Sequence, residues 1–368
     1  MKALGFGMMR LPVIEGTENI DLELVAAMSD EFLRRGFDYY DTAYGYHGGA
    51  SETAFRDVVA KRHPRDKFRI ATKMPIYSVQ SEGQAADFVH EQLEKCGVTY
   101  FDSYLLHCIN RSFYKIAQDY RVFELLAKMK GEGKIKKIGF SYHDNAALLE
   151  QILTDHPEVD IVQIQFNYLD IDDIGIEAGK CYDLATKYGK TVIIMEPLKG
   201  GALAKVPDEA ASLFAGYNPE ATPASWALRY AASFDNAAIV LSGMSNMEQM
   251  NDNIKTMLDF KPLNADEQKI IEKAAKIIKA DIAIPCTECG YCVEDCPKNI
   301  AIPEYFTIYN NLRRFESQKP IAQNYYANLS LVRGKASACV ACGACEERCT
   351  QRLPIIGHLK EVAAAFEQ

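Results

Sequence analysis

Between residues 68 and 107 the chain reads Phe68-Arg69-Ile70-Ala71-Thr72-Lys73, then an amphipathic stretch over 85–96, then Ser103-Tyr104-Leu105-Leu106-His107. Two short apolar or β-branched runs flank a longer segment of helical period, the pattern of parallel strands joined by a covering helix. The same alternation recurs on both sides. Strands are expected over 4–6, 38–41, 68–72, 103–106, 135–140, 161–165, 191–195 and 238–241. Amphipathic stretches lie at 22–35, 52–61, 85–96, 117–130, 146–153, 177–188, 223–233 and 248–257. Eight alternations in some 260 residues fit an α/β fold of the (β/α)8, or TIM-barrel, class. The rival is a doubly wound open sheet, which opens its first turn with Gly-x-Gly-x-x-Gly. Here Gly5-Phe6-Gly7-Met8-Met9-Arg10 stops one glycine short.

The whole chain has 368 residues, 48% of them apolar, with 41 Lys+Arg against 50 Asp+Glu and a formal charge of -9. Such a balance offers no basic surface that would release counterions from nucleic acid or attract an anionic membrane, so neither partner is expected. No run of 18 apolar residues occurs, and Met1-Lys2-Ala3-Leu4-Gly5 does not begin a secretion signal. A cytoplasmic protein is expected. The reading divides the chain into a barrel over 1–262, a connecting helix over 263–281 capped by Asn264, and a cysteine-rich domain over 282–368.

Eight of the eleven cysteines fall in that last domain. Cys286-x2-Cys289-x2-Cys292-x3-Cys296-Pro297 has the spacing of a bacterial 4Fe-4S ferredoxin run, in which the fourth thiolate serves the other cluster. A second copy occurs at Cys339, Cys342, Cys345 and Cys349. Eight ligands make two clusters, with Cys296 assigned to the second run and Cys349 to the first. A pair of zinc sites is the alternative, but zinc clips normally join two cysteine pairs across a longer loop. The segments 303–315 and 320–332 between the runs read as helices, so the domain is expected to be small, mainly helical and ferredoxin-like. No repeat is evident beyond the strand–helix rhythm and the doubled cysteine motif. Basic and acidic residues balance at nine each over 286–368. Each oxidised four-thiolate cluster adds about -2, giving an acidic surface suited to a basic redox protein partner.

Asp41, Tyr46, Lys73 and His107 leave the carboxyl ends of successive strands, where barrel enzymes build their sites. Singly each has a plain structural explanation as cap, half-buried ring, solvated charge or core histidine. Together they form a proton-transfer set. An ammonium beside a phenol favours phenolate, and Asp41 holds that ammonium charged. A lowered Tyr46 pKa is expected, with His107 orienting a carbonyl oxygen.

Three separated motifs carry a resemblance to the aldo/keto reductase superfamily. They are Asp41-Thr42-Ala43-Tyr44-Gly45-Tyr46, Thr72-Lys73 and Leu105-Leu106-His107, and the cysteine tail resembles that of its ferredoxin-tailed branch. The resemblance implies Tyr46 as general acid, Lys73 and Asp41 as its tuning partners, His107 as orienter and a small carbonyl substrate. It also implies NADP or NAD extended over the barrel mouth. Nicotinamide contacts map to Ser141, Gln163 and Met195, and the pyrophosphate and adenosine side to Leu198, Gly200, Gly201, Gly243, Ser245, Gln249 and Asn253. Three departures stand out. Ser141-Tyr142 replaces Ser-Asn, Met195 replaces an aromatic ring, and Gln249 replaces an arginine that clamps the 2'-phosphate. Ser245 with Glu248 also reads simply as a capping box. Tyr44, His47, Tyr77 and Phe113 are suggested to line the substrate pocket.

A hydride carries two electrons and a 4Fe-4S cluster accepts one, so joining the halves needs a flavin, a radical or a partner. Two functional readings follow. The first is a carbonyl reductase whose clusters relay electrons or are structural. The second is an electron-transfer iron–sulfur protein whose barrel is a docking or sensing scaffold.

Overall fold

A computed structural model describes residues 3–173, 176–314 and 319–367. The chain forms two compact units, one of Met1–Leu198 with Glu220–Gln268, the other of Lys199–Pro219 with Lys269–Gln368. The division places the segment after the seventh strand with the cysteine-rich unit and splits the connecting helix, Ala265–Asp281, near its start. Asn264 caps that helix, accepting from Glu267 N at 3.0 Å while the Glu267 carboxylate accepts from Asn264 N at 2.9 Å.

The first unit is a closed parallel barrel of strands β1 (Ala3–Gly7), β2 (Tyr39–Asp41), β3 (Arg69–Met74), β4 (Phe101–Ile109), β5 (Ile135–Tyr142), β6 (Ile161–Gln165), β7 (Thr191–Met195) and β8 (Ala237–Gly243). β8 pairs with β1 to close it, in register Leu4 to Val240. All eight agree with the strands read from the sequence, though β4 runs beyond His107. There its pairing with β5 slips between Leu106 and Ile109, and Cys108 takes φ 57°.

Alternation along each strand decides what faces the barrel axis. Tyr39, Ala71, Leu105, Ile161, Ile193, Ile239 and Leu241 pack into one interior cluster. Gly139 and Gly5 make room for it. A Cβ on Gly139 would lie 2.3 Å from the Ile161 carbonyl oxygen, and one on Gly5 would lie 2.5 Å from Leu241. Two residues further along the same strands come Asp41, Lys73, His107, Ser141, Gln163 and Met195. Strand periodicity therefore sets these side chains as the next layer above the apolar plug.

The helical pattern over 117–130 is not one helix. Helices Arg111–Asp119 and Val122–Gly131 meet at Arg121, whose φ of 51° interrupts the ladder without a glycine or proline to announce it. Helix Asp208–Tyr217 was not expected, although Pro207 and the acidic first turn Asp208-Glu209 mark its start.

In the second unit the repeat extends well beyond the cysteines. Residues 53 apart share conformation: Glu288 and Ala341 have φ 56° and 55°, Gly290 and Gly343 82° and 84°, Asn299 and Arg352 49° and 52°. Short helices Tyr291–Glu294 and Ala344–Glu347 correspond, as do the starts of Ile302–Arg314 and Ile355–Phe366. Beyond the cysteines few side chains match, among them Gly290 with Gly343 and Ile302 with Ile355, which is why sequence identity concealed the extent of the repeat. Ile300, Tyr305, Phe306, Tyr326, Leu359 and Val362 belong to the shared core. Among the described residues no helix is long and apolar enough to cross a membrane.

Candidate active site and cysteine centres

Lys73, 1% exposed, organises the barrel mouth. Its Nζ donates to Asp41 Oδ1 at 2.5 Å, to the Thr42 carbonyl at 2.8 Å and to Tyr46 Oη at 3.3 Å. The other Asp41 oxygen receives Gln163 Nε2 at 3.5 Å. The Tyr46 and His107 rings meet edge to face, centroids 5.6 Å apart. Tyr46 is carried by the turn Tyr46–Gly49, where His47, Gly48 and Gly49 all have positive φ. This reversal is anchored by Thr42 Oγ1 and Ser51 Oγ, 2.8 Å apart, with Ser51 Oγ donating to the Met8 carbonyl at 3.0 Å.

Burial penalises the Tyr46 phenolate and pushes the phenol up from its ordinary value, with Lys73 pulling it back only in part. The expectation of a lowered phenol pKa is corrected: desolvation at the barrel mouth outweighs one ammonium group. Burial thus favours the protonated phenol of Tyr46. For Lys73, burial opposes the charge, but Asp41 and Tyr46 together hold its pKa above the ordinary value. The Asp41 carboxyl is raised by burial against the counteracting pull of Lys73.

Ser141 and Gln163 are register partners on β5 and β6. Ser141 Oγ accepts from Cys108 N at 2.7 Å, and Gln163 Oε1 is buried with no hydrogen-bond partner among the described residues. Met195 packs on the interior cluster from above. Leu198 is half-buried just past β7, in the barrel unit. Gly200 and Gly201 belong to the other unit, where a Cβ on Gly200 would fall 2.5 Å from the Thr287 carbonyl. Gly243 ends β8 with the side-chain stem of Arg10 3.5 Å from its Cβ position.

The cap of helix Met247–Leu258 is Asn246, not Ser245. Its side chain accepts from Gln249 N at 2.9 Å, and Gln249 Oε1 accepts in turn from Ser245 N at 2.8 Å. Ser245 Oγ instead donates to the Arg10 carbonyl at 2.9 Å. Asn253 is buried and donates to Ser242 Oγ at 3.0 Å.

Arg10 was missed because it lies some 230 residues from the helix it approaches. The buried carboxylate of Glu52 was missed too. It receives Thr72 Oγ1 at 2.6 Å and Gln92 Nε2 at 2.5 Å, and Gln92 also donates to the Lys73 carbonyl at 3.0 Å. Lys95 closes the charge balance at 2.8 Å. The sequence signal was available, since Ser51-Glu52 opens the amphipathic run after the Tyr46 loop. Of the suggested pocket residues, Tyr77 lies 6.4 Å from His107 and 5.9 Å from Phe113, forming an aromatic side to the mouth. His47 Nε2 accepts from Leu11 N at 3.1 Å. Tyr44 instead bonds Glu91 at 3.1 Å on the covering helix.

In the cysteine-rich unit, Cys286 and Cys292 have Cys289 and Cys349 as electrostatic neighbours. Cys296 lines one cavity with Cys339, Cys342 and Cys345. The fourth thiol of each run thus lies with the three leading thiols of the other. Backbone N–H groups point at the sulfurs in matched pairs, Ile300 N to Cys296 Sγ at 3.5 Å and Leu353 N to Cys349 Sγ at 3.4 Å. Burial pushes the thiols up, Cys286 to about 12 and Cys345 to about 11.

The barrel gathers a buried carboxyl, ammonium and phenol at its carboxyl mouth, and the second unit gathers two sets of four thiols, the architecture of an oxidoreductase barrel joined to a ferredoxin-type domain. The chain belongs to the aldo/keto reductase family, whose profile matches residues 3–276, and residues 285–353 match the 4Fe-4S dicluster domain. It is 26% identical to an L-galactose dehydrogenase of Arabidopsis thaliana, over 75% of this chain and 90% of the relative. An aldo-keto reductase of Mycobacterium avium is 25% identical, over 74% and 85%. Among solved structures, an aldo-keto reductase from Bacillus halodurans in its holo form superposes with TM-score 0.61 at 24% identity, covering 74% of this chain and 92% of its own. One from Klebsiella pneumoniae in complex with NADPH gives 0.60 at 17%, covering 74% and 90%.

Proposed function

We propose that the barrel reduces a small carbonyl compound at the expense of NADPH, and that the C-terminal domain holds two 4Fe-4S clusters exchanging electrons with a redox protein in the cytoplasm. The observation carrying the first part is the single ammonium of Lys73 bonded at once to Asp41 and Tyr46, with His107 against the same phenol.

The residues fit a nicotinamide. The unpartnered Gln163 Oε1 is an acceptor for a carboxamide N–H, and Ser141 stands opposite it in register. Met195 offers the apolar floor. The bound dinucleotide supplies the hydride; the chain's own residues manage the proton. Tyr46 Oη donates a hydrogen bond to the substrate oxygen and releases its proton as charge develops there. His107 fixes that oxygen from the other side. Lys73 stabilises the phenolate left behind, and Asp41 keeps Lys73 charged at that moment. NADPH is favoured over NADH because Arg10, whose side-chain stem lies beside Gly243 and whose carbonyl accepts from Ser245 Oγ, brings a basic residue to a segment with none of its own.

Cys286, Cys289, Cys292 and Cys349 would hold one cluster, and Cys296, Cys339, Cys342 and Cys345 the other; each supplies one-electron chemistry when bound. The crossed pairing of thiols supports this assignment.

Anaerobic purification with iron and sulfide counts, followed by NADPH titration and aldehyde reduction on the same sample, tests the whole reading. About eight irons per chain, saturable NADPH binding and turnover lowered by about 10²–10⁴-fold in Tyr46→Phe are expected. Turnover indifferent to Tyr46→Phe would refute the barrel assignment.

A further inference from the structure

The two halves of the cysteine-rich unit repeat at the backbone but differ in what covers them. Thr287 follows the first cysteine of its run and is 2% exposed; its counterpart Val340 is 55% exposed. Gln351, two residues past Cys349, is 7% exposed, whereas its counterpart Lys298 lies in the open. Cys342 is exposed and its counterpart Cys289 is half-buried. Thr287 and Gln351 flank one ligand set, that of Cys286, Cys289, Cys292 and Cys349. Each of these three differences shields the same site.

The shield is the segment Lys199–Gly201, which lies in the same compact unit. Gly200 sits directly against the Thr287 carbonyl, so close that a Cβ would be 2.5 Å from its oxygen. Lys199 is 4% exposed and donates from Nζ to Gln351 Oε1 at 2.8 Å. The Gln351 backbone N–H in turn donates to the Cys349 sulfur. All three residues of the segment have positive φ, 45°, 66° and 102°, and for a buried lysine that conformation persists only where surrounding contacts hold it.

We propose that Lys199–Gly201 is a dedicated cover for the first cluster site, and that Lys199 makes that cluster easier to reduce than its structurally repeated twin. The inference rests on the reading that both ligand sets hold 4Fe-4S clusters. Reduction adds one negative charge, and a lysine linked to the Cys349 sulfur through Gln351 stabilises it more than solvent alone would. The second cluster, with Cys342 at the surface, has no such cover among the described residues and is the one open to an external electron carrier. Charge, burial and a backbone fit that only glycine allows thus act on one site of the pair.

The test uses the full chain, purified anaerobically. Iron release to bathophenanthroline disulfonate is expected in two phases of equal amplitude, with Gly200→Ala accelerating only the slow one. In a dithionite titration followed by electron paramagnetic resonance, Lys199→Met should make one cluster about tenfold harder to reduce, 59 mV for one electron, while Lys199→Arg stays near the parent. A Cys342→Ser background, lacking the exposed cluster, should retain the shift. Single-phase iron release from the parent protein overturns the proposal even if Lys199→Met fails to fold. So does a Lys199→Met shift of both clusters or of neither. A preparation with no bound iron or sulfide would instead defeat the cluster assignment on which the proposal stands.

Discussion

As the proposed acid, Tyr46 gains from its burial, and that has a measurable sign. Its raised pKa means the acid is lost only as pH climbs beyond the ordinary phenol value of about 10. The kcat/KM profile for carbonyl reduction should show no descending limb from this group below that range; one centred near pH 8 would show that Lys73 dominates desolvation. Tyr46→Phe should lower turnover by about 10²–10⁴-fold while leaving NADPH affinity within twofold, measured by fluorescence titration. Gln163→Leu is the converse case. It removes the buried acceptor, and dinucleotide binding should weaken about fivefold, the value of one hydrogen bond near 1 kcal/mol. At this scale the sequence was informative where a side chain leaves the carboxyl end of a strand, as Asp41, Lys73 and His107 do. It was silent about Arg10, because no local pattern tells which distant backbone an arginine will lie along.

At the scale of elements, the interior of the barrel imposes its own requirement. Gly139 is inward-facing, and its neighbours occupy the space a methyl group would need. Gly139→Ala should cost about 1–3 kcal/mol by overpacking, read as a lowered denaturant midpoint with an unchanged slope. It should also disturb the site, since Ser141 stands two residues on. The strands were legible because eight short apolar runs recur with helical stretches between them, a rhythm that tolerates errors of a residue or two. Helix ends were less so. Arg121 breaks a helix by a backbone angle that its side chain does not advertise, and Asn246 outcompetes Ser245 as cap, accepting from Gln249 N while the Gln249 side chain reaches back to the Ser245 N–H. The repeat in the cysteine-rich unit was half visible: spacing showed the thiols, but matched φ values at Glu288 and Ala341 have no common side chain to betray them.

At the scale of the whole molecule, the two units should differ in what holds them. The barrel has a continuous apolar plug and the Arg229–Glu267 pair, 2.8 Å apart, tying the start of helix Ala265–Asp281 to the same unit. The cysteine-rich unit crowds thiols whose pKa values burial has raised, so their thiolate forms need a cationic core to persist. Calorimetry of the intact protein should show two transitions, and iron chelation should remove one while sparing the other. Loss of both on chelation would mean that the barrel does not fold independently of the metal.

The exchanged fourth thiols have a further consequence. A chain severed between residues 314 and 319 would give two fragments, each with three sulfurs of its own and one meant for the other. Neither fragment could complete a cluster alone, but two copies of one fragment, back to back, could complete two.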